Sequence, residues 1–349
     1  MGHNKNQPKI RPTAKAATAQ QLPTTNSLLD IMEEGREFES TLKYRPQVNI
    51  GNEWKRIISE IETLRGKPCI CYLANTINSK ITVSTFIDQT DQLPFTEMIN
   101  SIPTDIKDID IILITNGGSG QQVAKFVNSL RPRFDNVSFI LPNVAMSAGS
   151  IFIMSGNEII MGPDSYFGPI DPQIPNAEGR FVPAQSIIAL INDIQANGEK
   201  LIKNGNNPRW VDLEILSSID KKDIGAALTA SQYSISLVTE YLEKYKFSSW
   251  VKHSSSGLVV TQNEKHNRAE EIAEKLCKHE LWKSHSTGIS REVAYEKCKL
   301  QITRAEDIPN FYRSLRRFWA LTYWIFENTK IAKAFLSDNY TVLKTDPSI

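Results

Sequence analysis

A chain of 349 residues is long enough for one large α/β domain or two ordinary ones. Lys and Arg number 40 and Asp and Glu 39, a net charge of +1. That balance argues against a nucleic-acid partner, which demands a clustered excess of base. Apolar residues make up 40% and charged residues 23%, the proportions of a globular chain and not of a disordered one.

Residues 1–26 are polar, carry three Lys, one Arg and no acid, and are expected to form a disordered arm. They contain no apolar core of a secretory signal, and Asn6 breaks the pattern for myristoylation of Gly2. A cytoplasmic location is therefore expected. The spacing predicts N-terminal helices over 27–66, the second at about Glu53–Leu64 with Trp54, Ile57, Ile58, Ile61 and Leu64 on one side. The texture then changes. Pro68–Ala74, Ile109–Thr115 and Val137–Leu141 are short apolar runs bounded by turn residues, and the helical period of Gln121–Leu130 lies between the last two. Strand, glycine turn, helix, strand is a crossover unit, so the strands are expected to be parallel and covered on both faces.

Cys69 and Cys71 fall in the first of these runs, and with Cys277 and Cys298 they match neither a disulfide framework nor a zinc site. Buried reduced thiols are expected. The most apolar stretch, Val137–Gly156, contains Pro142, Asn143 and four serines and suits no lipid-spanning helix. Five prolines between Pro163 and Pro183 exclude a helix there and predict short strands and turns. The α/β core is placed at 67–200 and a mainly helical region at 201–349. Helices are expected at about 184–196, 209–218, 222–246, 265–280 and 308–335. The last mixes Arg313, Arg316 and Arg317 with Phe318, Trp319, Trp324 and Phe326 and reads as an amphipathic packing helix.

Two loops carry candidate chemistry. Thr115-Asn116-Gly117-Gly118-Ser119-Gly120 follows a strand and precedes a helix. Its glycines bring bare backbone N–H groups up to a ligand, or simply turn the chain. It matches neither a Walker loop nor a dinucleotide fingerprint. Ser147 follows the third strand among small residues, Ala145, Ala148 and Gly149. It is either a helix N-cap or a nucleophile whose neighbouring amide helps to hold an oxyanion. Loops at the carboxyl ends of adjacent parallel strands converge on one crevice, so the two loops are expected to face each other.

Gly117-Gly118, Ser147-Ala148-Gly149 and Phe167-Gly168-Pro169-Ile170-Asp171-Pro172-Gln173 together resemble the Clp-protease/crotonase fold, and within it the serine dehydrogenase proteinase family of Clp-like serine proteases. The similarity spans about residues 67–183, with a weaker stretch over 265–302. It implies stacked β-β-α units, a serine peptidase, Ser147 as nucleophile and the Gly118 and Ala148 amides as oxyanion hole. It also implies a protein or peptide substrate and a homo-oligomer. No metal or organic cofactor, nucleic-acid partner or membrane span is expected, and the need for an ATPase partner is left open. The Clp histidine position, about 25 residues after the serine, is empty. Signal peptide peptidase A, a relative of the same fold, uses a lysine about fifty residues after its serine, which points to Lys200 or its neighbour Lys203. His285, in the later similar segment, is the other candidate. The leading expectation is a Ser147–Lys200 dyad. A catalytically inactive peptide-binding or scaffold module is the alternative. Crotonase-type acyl-CoA chemistry has less in its favour, for no paired Glu stands by the glycine turn.

Overall fold

In the computed structural model, described for residues 27–44, 49–175, 181–253 and 256–348, the apolar runs become the middle of a seven-stranded sheet. The arm expected over 1–26 lies outside the described residues. After α1 (Glu37–Tyr44) and α2 (Ile50–Arg65) come β1 (Cys69–Ala74), α3 (Gln92–Asn100), β2 (Asp108–Ile114), α4 (Gly120–Leu130) and β3 (Asn136–Leu141). A second block contains β4 (Val144–Ala145), α5 (Ala148–Ile153), β5 (Glu158–Met161), β6 (Tyr166–Phe167), β7 (Gln173–Pro175) and β8 (Phe181–Pro183). Then follow α6 (Ala184–Lys203), α7 (Trp210–Ser218), α8 (Lys221–Tyr241), α9 (Gln262–Cys277), α10 (His279–Trp282), α11 (Arg291–Cys298), β9 (Thr303–Arg304), α12 (Phe311–Asn328), β10 (Ile331–Leu336) and β11 (Thr341–Thr345).

The sheet order is β11-β10-β1-β2-β3-β5-β9. Pairing is parallel from β1 through β9, as the crossover pattern implies, and antiparallel where β10 meets β1 and β11 meets β10. The central strands are buried on both faces, and alternate side chains divide between two cores. Ile70, Tyr72, Ile111, Leu113, Phe139 and Leu141 face α3, α4, α5, α8 and α9. Cys69, Cys71, Leu73, Ile112, Ile114 and Ile140 face α2 and α12. Phe95, Phe126, Phe152 and Phe139 run ring to ring through the first core at centroid distances of 4.2, 5.7 and 4.8 Å. Each such contact is worth roughly 0.5–1.5 kcal/mol beyond the area it buries.

Two expectations need correction. The helical spacing before residue 37 gives turns, since Gly35 breaks the run in the left-handed region, at φ 79°. The helix expected over 308–335 ends at Asn328, and the chain returns as β10 and β11, so the late region is not purely helical but completes the sheet. The apolar side of that helix packs inward, as expected of an amphipathic packing helix. Phe318 and Phe326 are fully buried and Trp324 nearly so, all packed on the sheet.

All four cysteines are free and buried. Burial pushes the Cys277 thiol up to about 12 and that of Cys298 to about 11. Thiolate, the reactive form, is then scarce at neutral pH. The folded protein should leave an aromatic disulfide reagent unreacted at pH 8 for hours, and release four equivalents of thiol once denatured. Fast reaction of one thiol in the folded state would refute this burial.

Candidate active site

Beyond the carboxyl ends of β2 and β3 the chain builds a short second ladder. Thr115 N–H donates to Val144 O (3.0 Å) and Met146 N–H to Thr115 O (2.9 Å). Tyr166 N–H donates to Asn143 O (2.8 Å), and β4 pairs β6 in parallel. Phe167 and Ile289 exchange both backbone bonds, at 3.1 and 2.7 Å. On the other side Ile87 N–H donates to Gly117 O (2.7 Å) and Ser119 N–H to Ile87 O (2.9 Å). The glycine turn, the serine loop, the Gly-Pro-Ile-Asp-Pro stretch and the segment around His285 thus lie side by side, drawn from distant parts of the sequence.

The glycine turn is tight for a steric reason. Gly117 and Gly118 sit at φ 98° and 138°, in the region that side chains with a Cβ rarely enter. A Cβ on Gly117 would stand 2.7 Å from both Met146 O and Ser147 Cβ. The turn therefore lies directly against the serine, as expected of two converging loops. Ile87 engages Gly117 O and Ser119 N–H, and Thr115 Oγ1 accepts from Gly117 N–H (3.0 Å). Among the described residues nothing takes the N–H of Gly118 or of Ala148.

Ser147 precedes α5 but does not cap it. Its side chain makes no capping bond, and its backbone is at φ 50°, ψ −115°. A residue without glycine's freedom in such a region costs of order 1–3 kcal/mol and is held there by its surroundings. Gly149 N–H donates to Met146 O (2.7 Å) and Ile151 N–H to Ser147 O (3.2 Å). Ser150, fully buried, ties the loop down: its hydroxyl donates to Ala145 O and accepts from Gly168 N–H, both at 2.9 Å.

Ser147, Gly118 and Ala148 line a cavity of about 1320 Å³ together with His285. Behind His285 lies Asp171, only 1% exposed. Asp171 Oδ1 is 2.7 Å from His285 Nδ1, and its Oδ2 is 3.3 Å from His279 Nδ1. A buried carboxylate on Nδ1 fixes the ring and leaves Nε2 as the nitrogen turned to other work. Apart from His285, no described residue lining the cavity is ionisable near neutrality.

Lys200 is not brought to this place. Lys200 and Lys203 are exposed in the last turn of α6, and neither lines the cavity. The other described histidines are also elsewhere: His253 meets Glu264 at 3.1 Å and His266 meets Glu243 at 2.7 Å, both on the surface. Asp171 is the residue that sequence reasoning passed over. Its signal was a single acid inside an apolar, proline-flanked string, Pro169-Ile170-Asp171-Pro172, where a carboxylate with no surface to face needs a partner.

A family model described as ClpP-like SDH-type serine proteinase matches residues 42–204, just under half of the chain, and takes in both the glycine turn and Ser147. The match covers the sheet's centre and the Ser147 loop, while His285 lies beyond the matched residues. Two uncharacterized proteins of Methanocaldococcus jannaschii are similar to the chain. One is 34% identical over 137 residues, 38% of this chain and 44% of the relative. The other is 32% identical over 111 residues, 32% of this chain and 37% of the relative. The chain therefore matches less than half the length of either. Among solved structures, a single-substitution mutant of the 1510-N membrane-bound stomatin-specific protease aligns at 15% identity over 64% of this chain and 76% of that one, with a TM-score of 0.37. No helix among the described residues is long and apolar enough to cross a membrane.

Proposed function

We propose that the protein is a serine peptidase in which Ser147 is the nucleophile, His285 the general base and Asp171 the group that orients it. The observation that carries this reading is the 2.7 Å contact between buried Asp171 and a histidine that lines the same cavity as Ser147. The match of residues 42–204 to a serine proteinase family supports the reaction class.

Ser147 Oγ adds to the carbonyl carbon of the scissile bond, and its proton passes to His285 Nε2. Negative charge gathers on the carbonyl oxygen, where the Gly118 and Ala148 N–H groups receive it; one such donor is often worth 10²–10³ in rate. The C–N bond breaks as the imidazolium returns the proton to the departing amine. Water, deprotonated by the same imidazole, then opens the acyl-enzyme and frees Ser147. Asp171 holds the ring in the tautomer that accepts at Nε2 and balances the imidazolium charge. Lys200, expected on spacing alone, has no part in this scheme.

A fluorophosphonate probe should label the parent on Ser147, identified by peptide mass. His285→Ala should slow both labelling and peptide or ester hydrolysis by a factor of about 10³ or more. Lys200→Met should leave both unchanged. Loss of activity in Lys200→Met with retention in His285→Ala would restore the Ser–Lys dyad and overturn this assignment.

A further inference from the structure

Lys333 is the most deeply buried cation among the described residues, at 1% exposure. The sequence places it in the basic and aromatic run that ends the last helix. The structure puts it instead on β10. Its ammonium donates to Phe86 O (2.6 Å), Asp88 Oδ2 (3.1 Å) and both oxygens of Asp91 (3.0 and 2.8 Å). Asp91, fully buried, also accepts from Tyr72 OH (2.8 Å), Asp88 N–H (3.1 Å) and Lys344 Nζ (2.6 Å). A charge so enclosed is tolerated only when every partner is in place.

The two residues that Lys333 holds outside Asp91 are Phe86 and Asp88, and between them stands Ile87. Ile87 is the residue whose N–H and C=O grip Gly117 and Ser119. It leaves no room for adjustment, since a Cβ on Gly118 would meet Ile87 O at 2.4 Å and Ile87 N at 2.5 Å. The direction of the Gly118 N–H is therefore set by where Ile87 lies, and Ile87 is pinned on both sides by one ammonium group.

We propose that Lys333 is a positioning residue for the glycine turn: from β10, outside the segment that matches the family, it fixes the Phe86–Asp88 strip against which Gly118 is aimed. The catalytic part of this inference rests on the serine peptidase reading above.

The test compares two lysines on the same carboxylate in the full chain. Lys333→Met should raise hydrogen exchange at the Ile87 and Ser119 amides by about tenfold or more, and lower kcat by roughly 10- to 100-fold, up to the loss of one oxyanion donor, with KM changed by less than about threefold. The Lys344 ammonium bonds to Thr90 and Asp91 and lies over the Phe335 ring, with a bond to neither Phe86 nor Asp88. Lys344→Met should therefore lower stability while leaving kcat and exchange at Ile87 near the parent values. A purely structural role would make the two variants alike. Should Lys333→Met not fold, Asp88→Ala cuts the same tie at a partly exposed side chain and should move exchange and kcat in the same direction, by about threefold. Parent-like exchange at Ile87 in folded Lys333→Met, or in Asp88→Ala where that stands in, would overturn the proposal. So would lost protection with unchanged kcat. If the parent shows no hydrolysis that depends on Ser147, the peptidase reading falls, and the exchange comparison alone still decides whether Lys333 holds the turn.

Discussion

Alanine at position 147 should reduce hydrolysis by about 10⁴–10⁶-fold, the scale on which removal of a serine nucleophile acts when the rest of a triad has nothing to activate. The melting temperature should stay within about 2 °C of the parent. Two observations separate this from an ordinary loss of stability. The Ser147 side chain makes no capping bond, so no cap is lost, and alanine inherits the same φ of 50°. Glycine at the same position relieves that backbone and should be the more stable of the two variants by up to about 1 kcal/mol, while equally inactive. Turnover and melting curves of parent, Ser147→Ala and Ser147→Gly check all three statements. Retention of more than about a hundredth of parental turnover in the alanine variant would remove Ser147 from the mechanism.

Valine in place of Gly118 should cost both activity and stability. From the sequence, one expects a misdirected donor at modest structural cost. The geometry makes the second part larger. The new Cβ would fall 2.4 Å from Ile87 O and 2.5 Å from Ile87 N, backbone atoms that cannot rotate away, at a φ of 138° that a branched residue does not adopt. Either the turn or the Ile87 strip must move, and each carries a bond of the ladder. Turnover should drop by at least 10²–10³, the worth of one oxyanion donor. Amides of Ile87 and Ser119 should lose exchange protection. Gly120, at the start of α4, provides the control. A Cβ there meets nothing closer than Ile151 Cδ1 at 3.7 Å, and its φ is not in the left-handed region. Gly120→Ala should keep parental turnover; loss of function in both variants alike would mean that the loop tolerates no change for reasons unrelated to the donor.

How far the sequence led can be seen at particular residues. Three buried parallel strands were legible because short runs dominated by apolar residues, broken only by Asp110 and Ser138, lie between turn residues. The facing of Gly118 and Ser147 was legible because parallel strands present their following loops at one end. The base was not. Lys200 was chosen on distance along the chain, a quantity that the fold ignores, and α6 carries it out to solvent. His285 reaches the cavity that Ser147 lines through Ile289 pairing with Phe167, a two-bond contact that no periodicity announces. Asp171 was quoted as part of a string but given no task, because a carboxylate's role depends on what lies behind it. The strand nature of Ile331–Leu336 was hidden by its position at the end of a helical pattern and by Lys333, a residue that ordinarily signals a solvent-facing site.

The antiparallel pairing of β10 with β1 has a consequence for the order in which the molecule can be completed. Asn75 at the end of β1 donates its side-chain amide to Phe326 O and Ile331 O, partners 251 and 256 residues further along. While a ribosome is still making that later stretch, β1 presents an open row of backbone donors and acceptors, the surface through which unfinished chains pair wrongly with one another. Such distant closure is slow for reasons of chain entropy. The strip that Lys333 pins, and with it the aim of the Gly118 amide, also waits on that last hairpin. On the serine peptidase reading, a nascent chain thus carries Ser147 long before the strip that aims the Gly118 amide is in place, and competence to cut would arrive only with β10 and β11.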